Sequence, residues 1–208
     1  MTPQHGSSVR VMNLPWQITV TDEQSLHVFD LDIGRSTLDD GVKVLKSEYH
    51  LAWFESQDGT LSLEAYFFRV SMSGLRAKVI LELDSTGLEK EYLLQHSGKP
   101  EVQTSRTIKY PLDDLAQTLK DRVIRSLTYV PLTNLEPALL KSRFGEPEER
   151  IVVNDNSEYW LYPKKGLLIT VSKKSKKVLQ YIPVGEFERL KQSIVATVSH
   201  AQQEKTAE

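Results

Sequence analysis

The chain of 208 residues is 39% hydrophobic and 26% charged, so it can bury a core of its own, and its net charge of −2 gives no overall attraction for nucleic acid. It has no cysteine, which excludes disulfides, thiol catalysis, thiolate metal sites and a cysteine-borne lipid on this chain. Residues 1–110 hold 11 Lys+Arg against 15 Asp+Glu and residues 111–208 hold 15 against 13, a split too even to assign a partner.

Residues 1–13 read as a loose tail. Trp16-Gln17-Ile18-Thr19-Val20 alternates like a half-buried strand, Asp22-Glu23-Gln24-Ser25 like a turn, and 26–31 like the returning strand of a hairpin. Ser36 and Thr37 are helix N-caps with Asp39 and Asp40 three residues on, and Leu38, Val42 and Leu45 share one helix face. Three strands are expected next. Leu51-Ala52-Trp53-Phe54 is the first, followed by the hairpin turn Gln57-Asp58-Gly59. A long second strand sets Leu61, Leu63, Ala65 and Phe67 against Ser62, Glu64, Tyr66 and Phe68, and the third spans 78–83 after Ser73-Gly74.

The connector 85–110 holds a short helix over 87–95, broken by Ser97-Gly98-Lys99-Pro100. Pro111 then suits the first turn of a helix carrying Leu112, Leu115, Leu119 and Val123. The second half repeats the order of the first. Thr133-Asn134-Leu135-Glu136 reads as a capping box, Leu135, Leu139 and Leu140 as an apolar face, and Phe144-Gly145-Glu146-Pro147 as a stop. Strands follow near 150–153, 159–162, 167–171 and 178–182. Phe187, Leu190 and Ile194 mark a final amphipathic helix, with a polar tail from about Ala201. At an offset of 97, Ser36 aligns with Thr133, Leu38 with Leu135, Asp39 with Glu136 and Val42 with Leu139. The fold class expected is therefore α+β, an antiparallel sheet with helices packed on one face, in two related helix-then-strands units spanning 1–104 and 105–208.

The capped helix ending in Phe144-Gly145-Glu146-Pro147, then Tyr159-Trp160-Leu161-Tyr162, then Leu167-Leu168-Ile169-Thr170-Val171, resembles the SmpA/OmlA family, small lipoproteins of the bacterial outer-membrane assembly machinery. The β-lactamase-inhibitor-protein fold carries the same helices-on-sheet unit in tandem. The resemblance covers about 130–183 well and about 31–84 loosely. It implies no catalysis, no cofactor, and a protein-binding role in a cell envelope. The chain departs from the pattern in lacking the lipid-bearing cysteine, and its first unit lacks the Gly-x-Pro stop and the Trp-x-Tyr strand.

Two constellations carry candidate chemistry. Val28-Phe29-Asp30-Leu31-Asp32 resembles the first motif of haloacid-dehalogenase-type phosphatases, with Asp30 as nucleophile and Asp32 as acid/base on one side of an extended chain. That reading is a magnesium-dependent phosphatase. Against it, Gly34 stands where the family has Thr, and no later acidic pair is placed to hold magnesium. The other constellation is basic: Lys164, Lys165, Lys173, Lys174, Lys176 and Lys177 fall within 163–177 with no acid among them. With Trp160 and Tyr162 beside them, they form a candidate contact for a protein partner or for anionic lipid headgroups. The plainer reading of the same lysines is protection of strand edges. His5, His27, His50, His96 and His200 have no metal-ligand spacing, so no metal is expected.

No stretch reaches the roughly 18 apolar residues of a membrane span, and the polar start Met1-Thr2-Pro3-Gln4-His5-Gly6-Ser7-Ser8 has no signal-peptide core. Such a start suits a cytoplasmic scaffold or regulatory subunit. It equally suits a periplasmic or membrane-anchored protein whose leader has been removed. The leading expectation is a non-enzymatic interaction or assembly protein of a bacterial envelope, with its binding surface on an exposed sheet face and the lysine-rich hairpin.

Overall fold

The computed structural model describes residues 12–21 and 25–206, with side chains as far as Ser199; residues 1–11 of the tail expected at 1–13 and 22–24 of the turn expected at 22–25 lie outside the described residues. The strands are β1 (Thr19–Val20), β2 (Leu26–Val28), β3 (Leu31–Ile33), β4 (Tyr49–Glu55), β5 (Leu61–Met72), β6 (Leu75–Leu83), β7 (Glu101–Val102), β8 (Ile108–Pro111), β9 (Ile124–Pro131), β10 (Glu149–Asn154), β11 (Ser157–Tyr162), β12 (Leu167–Ser172) and β13 (Val178–Tyr181). The helices are α1 (Leu38–Leu45), α2 (Lys90–Gln95), α3 (Pro137–Phe144) and α4 (Phe187–Thr206). The fold is α+β, and every strand pair is antiparallel.

Ten strands form one sheet in the order β10-β11-β12-β13-β9-β6-β5-β4-β8-β7, and β1-β2-β3 form a small second sheet. Helix α1 is followed by the meander β4-β5-β6 and then β9; helix α3 is followed by β10-β11-β12-β13. The two runs meet where β9 pairs with β13. Each helix has 8 residues, and they start 99 positions apart, two more than the offset read from the caps. Leu45 and Phe144, at that spacing, are both buried at the last helical position.

Thr37 caps α1, and its capping box with Asp40 is closed in both directions. Burial also demands Gly41: a Cβ there would lie 2.6 Å from the Leu81 side chain, so the missing side chain sets how closely α1 approaches β6. The expected capping box of α3 is not formed. Residues 132–136 run outside the helix, α3 begins at Pro137, and Glu136 is an N-cap without a side-chain hydrogen bond. The ammonium groups of Lys176 and Lys177 engage the Leu132 carbonyl and Asn134 Oδ1 instead, at 2.7 and 2.9 Å.

The helix expected after Pro111 is also absent; only the short 3-10 turn Asp113–Leu115 forms. Its leucines Leu112, Leu115 and Leu119 are buried as the spacing suggests, but through turns. The backbone there is committed elsewhere. The Leu112 N–H donates to the Leu51 carbonyl, Asp113 accepts from the Leu51 N–H, and the Asp84 N–H donates to Val123. Strand β9 follows at once; it, β7 and β8 were not foreseen.

Alternation assigns the two faces of the large sheet. One face presents Trp53, Phe67, Val79, Leu81, Tyr129, Ile169, Tyr181, Trp160 and Tyr162 to the main core, beneath α1, α3 and the small sheet. Phe29, at the β2–β3 turn, stacks on Tyr129 at 5.1 Å and meets Tyr181 edge-on at 5.7 Å. The Tyr181 hydroxyl donates to the Pro15 carbonyl at 2.8 Å. The opposite face of the second meander presents Leu161, Leu168 and Ile182 to Phe187, Ile194 and Val198 of α4. Gly166 makes the β11–β12 corner with φ +55° and the Ile182 carbonyl oxygen 2.2 Å from where a Cβ would stand. Helix α4 thus covers one half of that second face.

Candidate functional site

The other half of the second face, over β4, β5, β6 and β9, carries no helix. Its residues follow from alternation in the sequence. Ser62, Glu64, Tyr66 and Phe68 point outward from β5, and Lys78, Ile80 and Glu82 from β6. Register lines them up. His50 pairs with Tyr66, Tyr66 with Ile80 and Ile80 with Thr128; in the adjacent row, Ala52 pairs with Glu64, Glu64 with Glu82 and Glu82 with Ser126.

Phe54, Tyr66, Phe68 and Ile80 are half-buried. Phe68 lies 5.1 Å from the His50 ring and 5.5 Å from Tyr66, and the Lys78 ammonium stands 5.8 Å over Tyr66. The result is an aromatic strip across the middle of an uncovered antiparallel surface, with apolar ring faces and polar tips.

Beside the strip lies the acidic row. Ser62 Oγ donates to Glu64 at 2.8 Å and Ser126 Oγ to Glu82 at 2.8 Å. Burial is the main reason the Glu64 carboxyl is pushed above its ordinary value; the serine hydrogen bond opposes that, and the Glu82 charge adds to it. Among the described residues no cation pairs with either glutamate. The neighbouring acids differ: Lys90 meets Glu55 at 2.5 Å, and Arg125 meets Asp84 at 3.1 Å and Glu186 at 3.3 Å.

Arg125 owes its position to a bulge. Glu82 pairs with Ser126 and Leu83 with Ile124, leaving Arg125 as the extra residue, its side chain re-aimed to the sheet end. There it clips the start of α4 to the end of β6. Between this clip, the sheet and the flank of α4 lies a cleft of about 650 Å³, with Glu82, Ser126 and Gln180 on its floor and Arg189 and Ser193 on its wall.

The residues singled out from sequence fall elsewhere. Trp160 and Tyr162 are each 2% exposed, on the core face under α3. Trp160 donates to Glu158 at 2.7 Å, with Lys141 and Arg150 over its ring, and Tyr162 donates to the Gly145 carbonyl at 3.0 Å. Burial pushes the Tyr162 hydroxyl up to about 12.

The six lysines divide between the two ends of β12, about 20 Å apart for six residues of strand. Lys165 donates to the Phe144 carbonyl at the end of α3 and Lys173 to the Asp155 carbonyl. Lys176 and Lys177 hold the 132–136 segment, and Lys177 is buried. Lys164, mostly exposed, pairs with Glu148, and Lys174 is exposed at the turn. Most of this basic cluster is therefore spent on tying loops to the sheet.

Asp30 sits in the β2–β3 turn at φ +59°, accepting from Asn13, and Asp32 pairs with His27 at 2.8 Å. Among the described residues no group of three or more His, Cys, Asp or Glu side chains is placed to hold a metal ion. The alternation of 61–68 already put Ser62, Glu64, Tyr66 and Phe68 on one side of the strand, whereas the Glu64–Glu82 pair went unrecognised in the sequence. Their pairing partners on β6 depend on register. No protein-family model, curated protein or solved structure significantly matches this chain.

Proposed function

We propose that the chain is a non-enzymatic interaction or assembly protein of a bacterial cell envelope, and that it binds a protein partner on the uncovered half of its sheet. The observation that carries this reading is the strip of half-buried Phe54, Tyr66, Phe68 and Ile80 on a face whose other half is sealed by α4. Antiparallel sheets tolerate one solvated face, but polar residues usually occupy it. Tyr66, Phe68 and Ile80 on one side of the Glu64–Glu82 row and Phe54 on the other give this face the aromatic and charged composition of an interface.

Two observations support the tandem, envelope-type reading. Each of α1 and α3 precedes a four-strand antiparallel run, and the runs join edge to edge through their last strands. The second run contains the residues that resemble the SmpA/OmlA pattern. Fold alone does not fix function, so the partner surface is argued from the side chains on it.

The experiment places a photo-reactive amino acid at Phe68, and separately at Val152, which is 60% exposed on the far edge strand β10. Irradiation in source cells is expected to trap one discrete protein from Phe68 and none from Val152. The reverse pattern would overturn the assignment of the surface. Fractionation of the same cells tests the compartment, with recovery in the envelope expected and recovery in the cytosol contradicting it.

A further inference from the structure

We infer that the partner reaches this face with a basic side chain, an arginine or lysine seated between Glu64 and Glu82 on an extended segment whose apolar residues lie over Tyr66 and Phe68. The inference rests on the reading of the uncovered sheet half as the partner surface. It adds the chemistry that surface selects.

Two carboxylates placed directly opposite each other across antiparallel strands oppose the pairing of those strands. The fold neutralises other acids with cations of its own: Arg125 at both Asp84 and Glu186 beside the cleft, and Lys90 at Glu55 on the Trp53 side of β4. Among the described residues, Glu64 and Glu82 receive serine hydroxyls and no cation. Lys78, the nearest basic residue along β6, is turned over the Tyr66 ring instead. Each carboxylate therefore has acceptor capacity beyond its serine hydrogen bond.

The room is present as well. Glu82 and Ser126 line the cleft beside α4 together with Arg189 and with Arg125, which is already paired with Asp84 and Glu186, so a side chain longer than the strip's own residues has room on the Glu82 side of the pair. A guanidinium suits the site, because its fork of donors can serve two carboxylates at once and its plane can stack on Tyr66. Charge complementarity and an adjoining aromatic strip favour an extended, basic and amphipathic segment over a purely apolar one.

The test uses the full chain and two synthetic peptides. One alternates leucine and serine about a central arginine; the other carries citrulline, the neutral near-isostere, in its place. Binding is followed through the side-chain carboxyl carbons of Glu64 and Glu82 and the ring signals of Tyr66 and Phe68. The arginine peptide is expected to shift all four and to bind about tenfold or more tightly than the citrulline peptide. The Glu64→Gln/Glu82→Gln variant, which keeps the serine hydrogen bonds, is expected to erase that difference. Equal binding of the two peptides to the unaltered chain would overturn the inference while leaving the sheet face as a partner surface. Failure of the arginine peptide to move these signals would also overturn it, and the Phe68 cross-link would then decide the face itself.

Discussion

Glu64 on β5 and Glu82 on β6 are direct cross-strand partners, each carboxylate held by a serine on a neighbouring position of the same sheet face. The burial of Glu64, with the Glu82 charge adding to it, gives the protein a pH dependence of known sign. Glu64 has a folded value above its ordinary 4.5, chiefly because it is buried. The folded state therefore holds the proton more tightly than the unfolded chain. This group's contribution to stability is full below 4.5 and is lost as pH rises through the raised folded value.

Glu64→Gln removes that dependence while keeping a group able to accept from Ser62. The variant is expected to gain stability relative to the parent as pH rises from 4 to 7, by about 0.5–1 kcal/mol, the scale of a cross-strand pair. Urea unfolding of both proteins at the two pH values reads this directly. A constant difference across the range would contradict it.

Asp84 works in the opposite direction. Its hydrogen bond from the Thr86 hydroxyl, then the Thr86 amide and Arg125, hold its carboxyl below the usual 3.8. The resulting stabilisation is present above 3.8 and fades as pH falls through the lowered folded value. Arg125→Met should loosen the join between α4 and β6 by about 0.5–1 kcal/mol, since these ion pairs are partly exposed. Hydrogen exchange is the sensitive readout, with faster exchange expected at 187–191 and little change in α1.

Two glycines with positive φ separate strain from collision. Gly145 ends α3 at φ +85° and ψ −177°, backbone that glycine alone adopts readily, with nothing within 4 Å of a built Cβ, so Gly145→Ala should cost about 1–3 kcal/mol from strain alone. At Gly166 the Ile182 carbonyl oxygen stands 2.2 Å from the same position. Gly166→Ala must displace backbone between β11, β12 and β13 and should cost about 3 kcal/mol or more. Thermal unfolding of the two variants side by side checks the contrast.

The lysines of the β12–β13 turn are expected to differ just as sharply. Lys177 is buried and donates to the exposed Asn134, so Lys177→Ala loses the packing of its buried stem as well as that hydrogen bond and should lower stability by about 1–3 kcal/mol. Lys174 is exposed, and Lys174→Ala should fall within about 0.5 kcal/mol of the parent. Similar losses at both positions would contradict the structural role assigned to Lys177.

Much of the architecture was legible because local signals and tertiary demands agree. Thr37 caps α1 as its spacing to Asp40 suggests, and Gly145 ends α3. The Gln57-Asp58-Gly59 and Ser73-Gly74 turns bound β5, and the four strands from β10 to β13 fall where alternation put them. The failures share a cause. Leu112, Leu115 and Leu119 have helical spacing, but long-range hydrogen bonds from β4 take the backbone that a helix would need. The bulge at Arg125 breaks the alternation that would have marked β9. The lysines of 163–177 are adjacent in sequence, yet a strand carries them to opposite ends of the sheet. The Glu64–Glu82 pair depends on register between strands, which neither residue's own neighbourhood specifies.

The most direct test of the partner surface is hydroxyl-radical footprinting of the chain purified alone and of the chain within its native complex. The account predicts that Phe54, Tyr66 and Phe68 become protected in the complex while Lys164 and Lys174 remain as reactive as in the isolated protein. Protection of the lysine-bearing turns with an unchanged aromatic strip would contradict it, and would move the binding surface to the ends of β12.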